Sequence, residues 1–143
     1  MQLIVNDEIA GLHSRLARIG RRLGDTAPVM AAIGSLLEGS TRQRFADETA
    51  PDGNGWAALL PASQAGKERN RGKILTEFGD LMRSITHHAG AAAVVIGTDR
   101  HYGRYHQSGT GKMPARPFLG LSGEDRYDIN DILNQFMQGA VNG

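Results

Sequence analysis

Cysteine is absent from the chain, and with it go disulfide staples, thiolate nucleophiles and thiolate metal ligands; redox chemistry has no support, and the composition suits a reducing cytoplasm. No window approaches the apolar length of a membrane span. The first eight residues have neither a basic leader nor a long apolar stretch, so neither a membrane partner nor signal-peptide export is expected. An excess of one charge is missing too, with 16 Lys and Arg against 15 Asp and Glu. A chain so balanced is not drawn as a whole onto nucleic acid or anionic lipid, and any basic partner site must be local. Internal repeats, low-complexity linkers and long heptad runs are also lacking.

What remains is a chain of 143 residues, read as a single domain over 1–143 and long enough to bury about two-thirds of its unfolded surface. Within it we distinguish a helical hairpin at 1–48, an irregular loop at 49–72 and an α+β core at 73–143. Ile9, Leu12, Leu16, Ile19 and Leu23 recur at helical spacing and predict an amphipathic helix over residues 3–23. Arg15, Arg18, Arg21 and Arg22 crowd its later turns. There they complement the helix dipole as a solvated face, the bland reading set against a DNA-facing or acid-binding patch. Thr26 as cap and Pro28 in a first turn open a second helix with Val29, Ile33, Leu36, Leu37 and Phe45 on its apolar side. Gly34 and Gly39 weaken it unless they permit close contact.

Between 49 and 72 the periodicity stops. Pro51 to Gly55 form a turn cluster, and Trp56, the sole tryptophan, reads as an anchor in the core or at a subunit contact. Helical spacing resumes over 73–84 with Ile74, Leu75, Phe78, Leu81 and Met82. Residues 85–88 and 93–97 flank a turn at Gly90, the second run being apolar enough for a strand covered on both faces. Ser122 and Asp125 approximate a capping box, and Ile129, Ile132, Leu133 and Phe136 mark a last amphipathic helix. The fold class is therefore α+β: N-terminal helices, a small mainly antiparallel sheet of about three strands, and a C-terminal helix packed on it.

The most particular stretch is 102–122. It holds an aromatic, amide-rich short helix, a tip bracketed by Gly109 and Gly111, and a run pinned by Pro114 and Pro117. Pro117 places residues 116–119 on an edge strand or against a neighbouring subunit, because proline cannot serve a central strand. Alternation along that strand puts Leu119 and Leu121 in the core and turns Phe118 outward as a knob for a neighbour; in the competing arrangement Phe118 is simply core. The stretch is a place for docking. Its candidates for oligomer or partner contact are Tyr102, Tyr105, His106, Gln107, Lys112, Met113, Arg116 and Phe118, with Trp56 beside them.

Chemistry finds little footing. His87, His88, His101 and His106 crowd together, yet neighbouring residues on a strand face opposite ways and the other pair lacks zinc-helix spacing, so no metal is assigned. Asp52 and Asn54 lack the remaining ligands of a calcium loop. Residues 108–113 resemble the end of a phosphate loop, but His106 and Met113 stand where glycine and a hydroxyl are needed. His106, Ser108 and Asp99 have no nucleophile elbow around them. No cofactor and no enzymatic activity are expected.

His-Gln-Ser-Gly at 106–109, followed by Pro-Ala-Arg-Pro-Phe-Leu-Gly-Leu-Ser at 114–122 and an acidic helix, resembles the phage virion morphogenesis family, the tail completion proteins of Mu-like and related contractile-tailed phages. Residues 42–45, 51–56, 74–85 and 97–99 fit in the family's order. Gly103 departs from the family's frequent Ala and weakens the short helix expected there. The resemblance implies a structural protein of a bacteriophage or prophage, acting in tail completion or head–tail joining at the neck. It further implies a homo-oligomeric ring, with six copies as one option, other tail or connector proteins as partners, and genomic DNA passing through without sequence-specific binding. The location implied is the virion, after assembly in the bacterial host cytoplasm. The alternative from another class is a small nucleic-acid-binding protein using the Arg-rich first helix and the loop from Lys112 to Arg116.

Overall fold

A computed structural model describes residues 1–5, 9, 11–58, 79–111 and 113–142. Three antiparallel strands, β1 (Gln2–Val5), β2 (Thr86–Ala89) and β3 (Val94–Gly97), form one sheet in the order β1-β3-β2. Five helices accompany them among the described residues: α1 (Leu12–Leu23), α2 (Ala27–Asp47), α3 (Asp80–Arg83), α4 (Gly103–Ser108) and α5 (Gly123–Asn142). The fold is α+β: strand β1 opens the chain, α1, α2 and α3 follow it before the β2–β3 hairpin, and a long helix closes it. The expected irregular loop beyond Ala58 and the expected helix before residue 79 lie outside the described residues.

The chain's start corrects the expected helix over 3–23. Residues 2–5 are a strand, and the helix begins only at Leu12, after Gly11 in the left-handed region at φ 69°. Ile4 and Val5 are β-branched and sit readily in a pleated sheet. Their partner is β3, with Leu3 opposite Ile96 and Val5 opposite Val94, a pairing about 90 residues away that no local pattern encodes. Leu23 also departs from the stripe: Leu12, Leu16 and Ile19 are buried, but Leu23 is exposed in the last position of the helix.

The β2–β3 hairpin turns where Gly90 suggests, with the Gly90 amide donating to the Ala93 carbonyl at 2.8 Å. Among the described residues its apolar run is covered on one face only. Val94 and Ile96 are buried against α2 while Val95 is half-buried and Ile4 beside it exposed. A three-stranded antiparallel sheet with its helix on one side leaves the other side to solvent, which corrects the expectation of two covered faces.

α2 crosses the covered face and contacts β2, β3 and α5, while α1 packs on α5. Val29, Met30, Ile33, Leu37 and Phe45 of α2 are all buried. Gly34 is what brings α2 against β2. A Cβ there would overlap the His87 ring, which fits over the glycine and places its Nδ1 2.5 Å from Glu38 Oε2. The capping box forms as read: the Asp125 amide donates to Ser122 Oγ at 2.9 Å and the Ser122 amide to Asp125 Oδ2 at 3.1 Å.

A candidate docking surface and the segment behind it

Residues 116–119 are extended, as their prolines require, but they join no sheet. The third strand is β1, and the backbone groups of 116–119 bond instead to side chains and to the end of α4. The Arg116 amide donates to the His106 carbonyl at 2.6 Å. Trp56 Nε1 donates to the Pro117 carbonyl at 2.7 Å. The Phe118 and Leu119 amides both donate to Gln107 Oε1 at 3.0 Å, while Gln107 Nε2 returns a bond to the Leu119 carbonyl at 2.9 Å. Arg44 Nη1 donates to the Phe118 carbonyl at 2.8 Å. Buried backbone groups need partners, and a ladder is only one way to supply them. Here α2, the Trp56 turn and α4 together replace the missing neighbour strand.

The side chains reverse the expected facing. Phe118 is fully buried, its ring 5.4 Å from that of Phe45, which in turn meets Trp56 edge-on at 5.5 Å. Phe118 therefore belongs to this chain's own core, correcting its reading as a knob for a neighbour. Leu119 is buried as well, and Leu121 is half-buried. Without a flat ladder on both sides the backbone turns enough for Phe118 and Leu119 to enter apolar surroundings together. Gly103 fits the same core: a Cβ there would stand 3.0 Å from Thr98 Cγ2 and 3.4 Å from the Phe118 ring. The short helix forms despite the glycine because its hydrogen bonds continue into the anchored segment.

Arg116 is buried, its Nε donating to the Ala57 carbonyl at 2.9 Å and its Nη2 to Ala58 at 3.3 Å. It cannot supply the basic loop of the nucleic-acid alternative, and Lys112 lies outside the described residues. Trp56 and Gln107 likewise face inward. What the surface offers beside them is Tyr105, exposed on α4, while Tyr102, His106 and Met113 are half-buried. His101 and His106 flank Tyr102 edge-on, at ring separations of 6.0 and 6.2 Å. Of the nine expected contact residues, the structure brings Tyr102 and His106 edge to face at the short helix that also carries the exposed Tyr105, and leaves Met113 half-buried in the turn that follows. It assigns Trp56, Gln107, Arg116 and Phe118 to the hydrogen-bonded and packed interior behind that helix.

Sequence reasoning missed the ion pair beneath this support. Arg44 bonds Asp125 as well as the Phe118 carbonyl, both side chains being almost wholly buried. Burial lowers the Arg44 pKa, and the charge and hydrogen bond of Asp125 act in the opposite direction. One carboxylate so caps α5, neutralises an arginine of α2 and, through it, holds the segment. The available signal was an arginine directly before Phe45 on a buried stripe, where an unpaired cation is not tolerated. The histidines assemble no site: His87 is on Glu38, and His88 and His101 are exposed. Both carboxylate oxygens of Asp52 serve Asn54. Among the described residues no three His, Cys, Asp or Glu side chains are grouped to hold a metal.

The sequence from 7 to 138 matches the phage virion morphogenesis family. Protein G of Escherichia phage Mu, named as a capsid assembly protein, is 36% identical over 94% of this chain and 93% of its own length. Two Mu-like prophage G proteins of Haemophilus influenzae, FluMu G protein 2 and FluMu G protein 1, are 29% and 33% identical. They cover 89% and 78% of this chain and 89% and 79% of their own lengths. No solved structure matches. The chain belongs to the phage virion morphogenesis family, and its role is a structural one in phage assembly. Among the described residues no helix is long and apolar enough to cross a membrane.

Proposed function

We propose that the protein is a non-enzymatic tail completion or head–tail joining component, acting at the neck of the virion as a homo-oligomer, with other tail or connector proteins as partners. Family membership over residues 7–138 carries this reading. The disposition of polar side chains supports it: Gln107, Trp56, Arg44 and Arg116 hold backbone carbonyls and amides in place. A protein whose work is to present a fixed shape uses its polar groups in this way. The exposed face around Tyr105 is the proposed contact with a tail or connector protein, since aromatic side chains on rigid support are the usual anchors of such contacts.

A second reading, assembly of the capsid, is favoured by the name of the phage Mu relative. Deleting the gene from an inducible prophage and examining the particles by electron microscopy separates the two. Filled heads and tails that remain unjoined, or tails of irregular length or end, are expected. Failure to form heads would overturn the neck assignment in favour of capsid assembly, and normal infectious particles would overturn both.

A further inference from the structure

This nearly neutral chain carries two separate patches of opposite charge. Arg18, Arg21 and Arg22 are exposed near the end of α1, at the three- and four-residue spacings that make them neighbours on one face. Among the described residues none of the three has an ion-pair or hydrogen-bond partner. Arg15 is different, since its Nη1 bonds Asn130 Oδ1 at 2.5 Å. The nearest acid in sequence, Asp25, accepts from the Ala27 amide at 2.9 Å and is not ion-paired with them among the described residues. Like charges at these spacings destabilise a helix, so the face is poised for an anionic partner.

The complement lies in the same molecule. A groove of about 710 Å³ runs between α2, the turn at 49–53 and the start of α5, and it presents Asp47, Asp52, Glu124 and Asp128. Arg44, the cation in its wall, is neutralised by Asp125. Asp47 and Asp52 accept bonds from the uncharged Gln43 and Asn54, which leave their negative charge in place. Asp47 stands at the C-terminus of α2, where a carboxylate opposes the helix dipole and so earns no local stability. α2 has 21 residues, so Asp47 is about 30 Å along its axis from Ala27, beside which α1 ends. One molecule cannot seat its own arginines in its own groove.

We infer that the Arg18, Arg21 and Arg22 face of one copy docks in the acidic groove of the next, a head-to-tail contact between copies of this chain. Two different surfaces meet in such a contact, so it repeats around a ring when the rotation closes and along a filament when it does not. The inference rests on the homo-oligomer reading above and specifies its contact.

The test is sedimentation velocity on the full chain across a range of concentrations. The variants are Arg18→Gln/Arg21→Gln/Arg22→Gln, Asp47→Asn/Asp128→Asn, and the charge swap Arg18→Glu/Arg21→Glu with Asp47→Arg/Asp128→Arg. Each neutralised variant should weaken self-association about tenfold or more, and the swap should restore it, while thermal melts confirm that every variant is folded. Raising salt from about 0.1 M to about 1 M shortens the screening length from about 10 to about 3 Å and should dissolve the wild-type assembly. Assembly indifferent to salt and to both neutralisations overturns this contact and leaves homo-oligomerisation standing. A wild-type chain that stays monomeric throughout overturns both. If the arginine variant assembles normally but loses binding to a short duplex DNA, the face serves nucleic acid and the inference is wrong.

Discussion

Gln107 holds Leu119 by both ends of its backbone, accepting from the Leu119 amide at 3.0 Å and donating to the Leu119 carbonyl at 2.9 Å. One side-chain amide thereby does the work of a residue on a neighbouring strand, and it bonds the Phe118 amide as well. Truncating it strands three partly buried backbone groups. Gln107→Ala should therefore lower stability by about 2–3 kcal/mol, allowing for partial rescue by water. Gln107→Glu keeps the two accepted bonds but sets a carboxylate against the Leu119 carbonyl, and should fall between wild type and Ala. Thermal melts of the two variants check this; an Ala variant that melts with the wild type would show that the clamp contributes nothing.

Phe118→Ala should act on folding before it acts on assembly. The ring is fully buried beside Phe45, and emptying such a site costs about 3–5 kcal/mol. Denaturant titration should show that loss in the isolated chain. A near-normal midpoint accompanied by failed virion assembly would restore the outward-facing role that the sequence suggested.

Arg44 bridges two buried groups, Asp125 and the Phe118 carbonyl. Arg44→Ala leaves a buried carboxylate without its cation, a loss of about 3–5 kcal/mol. Lysine keeps the charge but lacks the planar fork that reaches both acceptors, so Arg44→Lys should recover only part of the loss. Chemical denaturation of both variants measures the difference, and equal stability of Lys and Arg at this position would refute the bridging role.

Two glycines of the same helix should respond to alanine with opposite signs. A Cβ on Gly39 meets nothing within 4 Å, so Gly39→Ala should stabilise by about 0.5–1 kcal/mol through helix propensity alone. A Cβ on Gly34 overlaps the His87 ring, so Gly34→Ala should destabilise by about 1–3 kcal/mol as α2 is pushed from β2. Stabilisation by both substitutions would mean that the ring moves aside freely.

The sequence by itself determined what depends on near neighbours. The bulk of α1, α2 and α5, the capping box at Ser122 and Asp125, the hairpin turn at Gly90 and the extended course of 116–119 all follow from short-range spacing, capping chemistry and restricted backbone angles. The nearness of Tyr102 to His106 was legible because they stand four residues apart at a short helix. Tertiary structure alone decided which strand completes the sheet and what 116–119 binds. β1 was hidden because its partner is β3, some 90 positions further along the chain. The backbone of 116–118 finds Trp56 and Arg44 some 61 and 74 positions away, and bonds of that separation leave no periodicity to read. Phe118 faces inward for the same reason: alternation decides a side chain's direction only where a ladder keeps the backbone flat, and the ladder here is replaced by side chains from elsewhere in the fold.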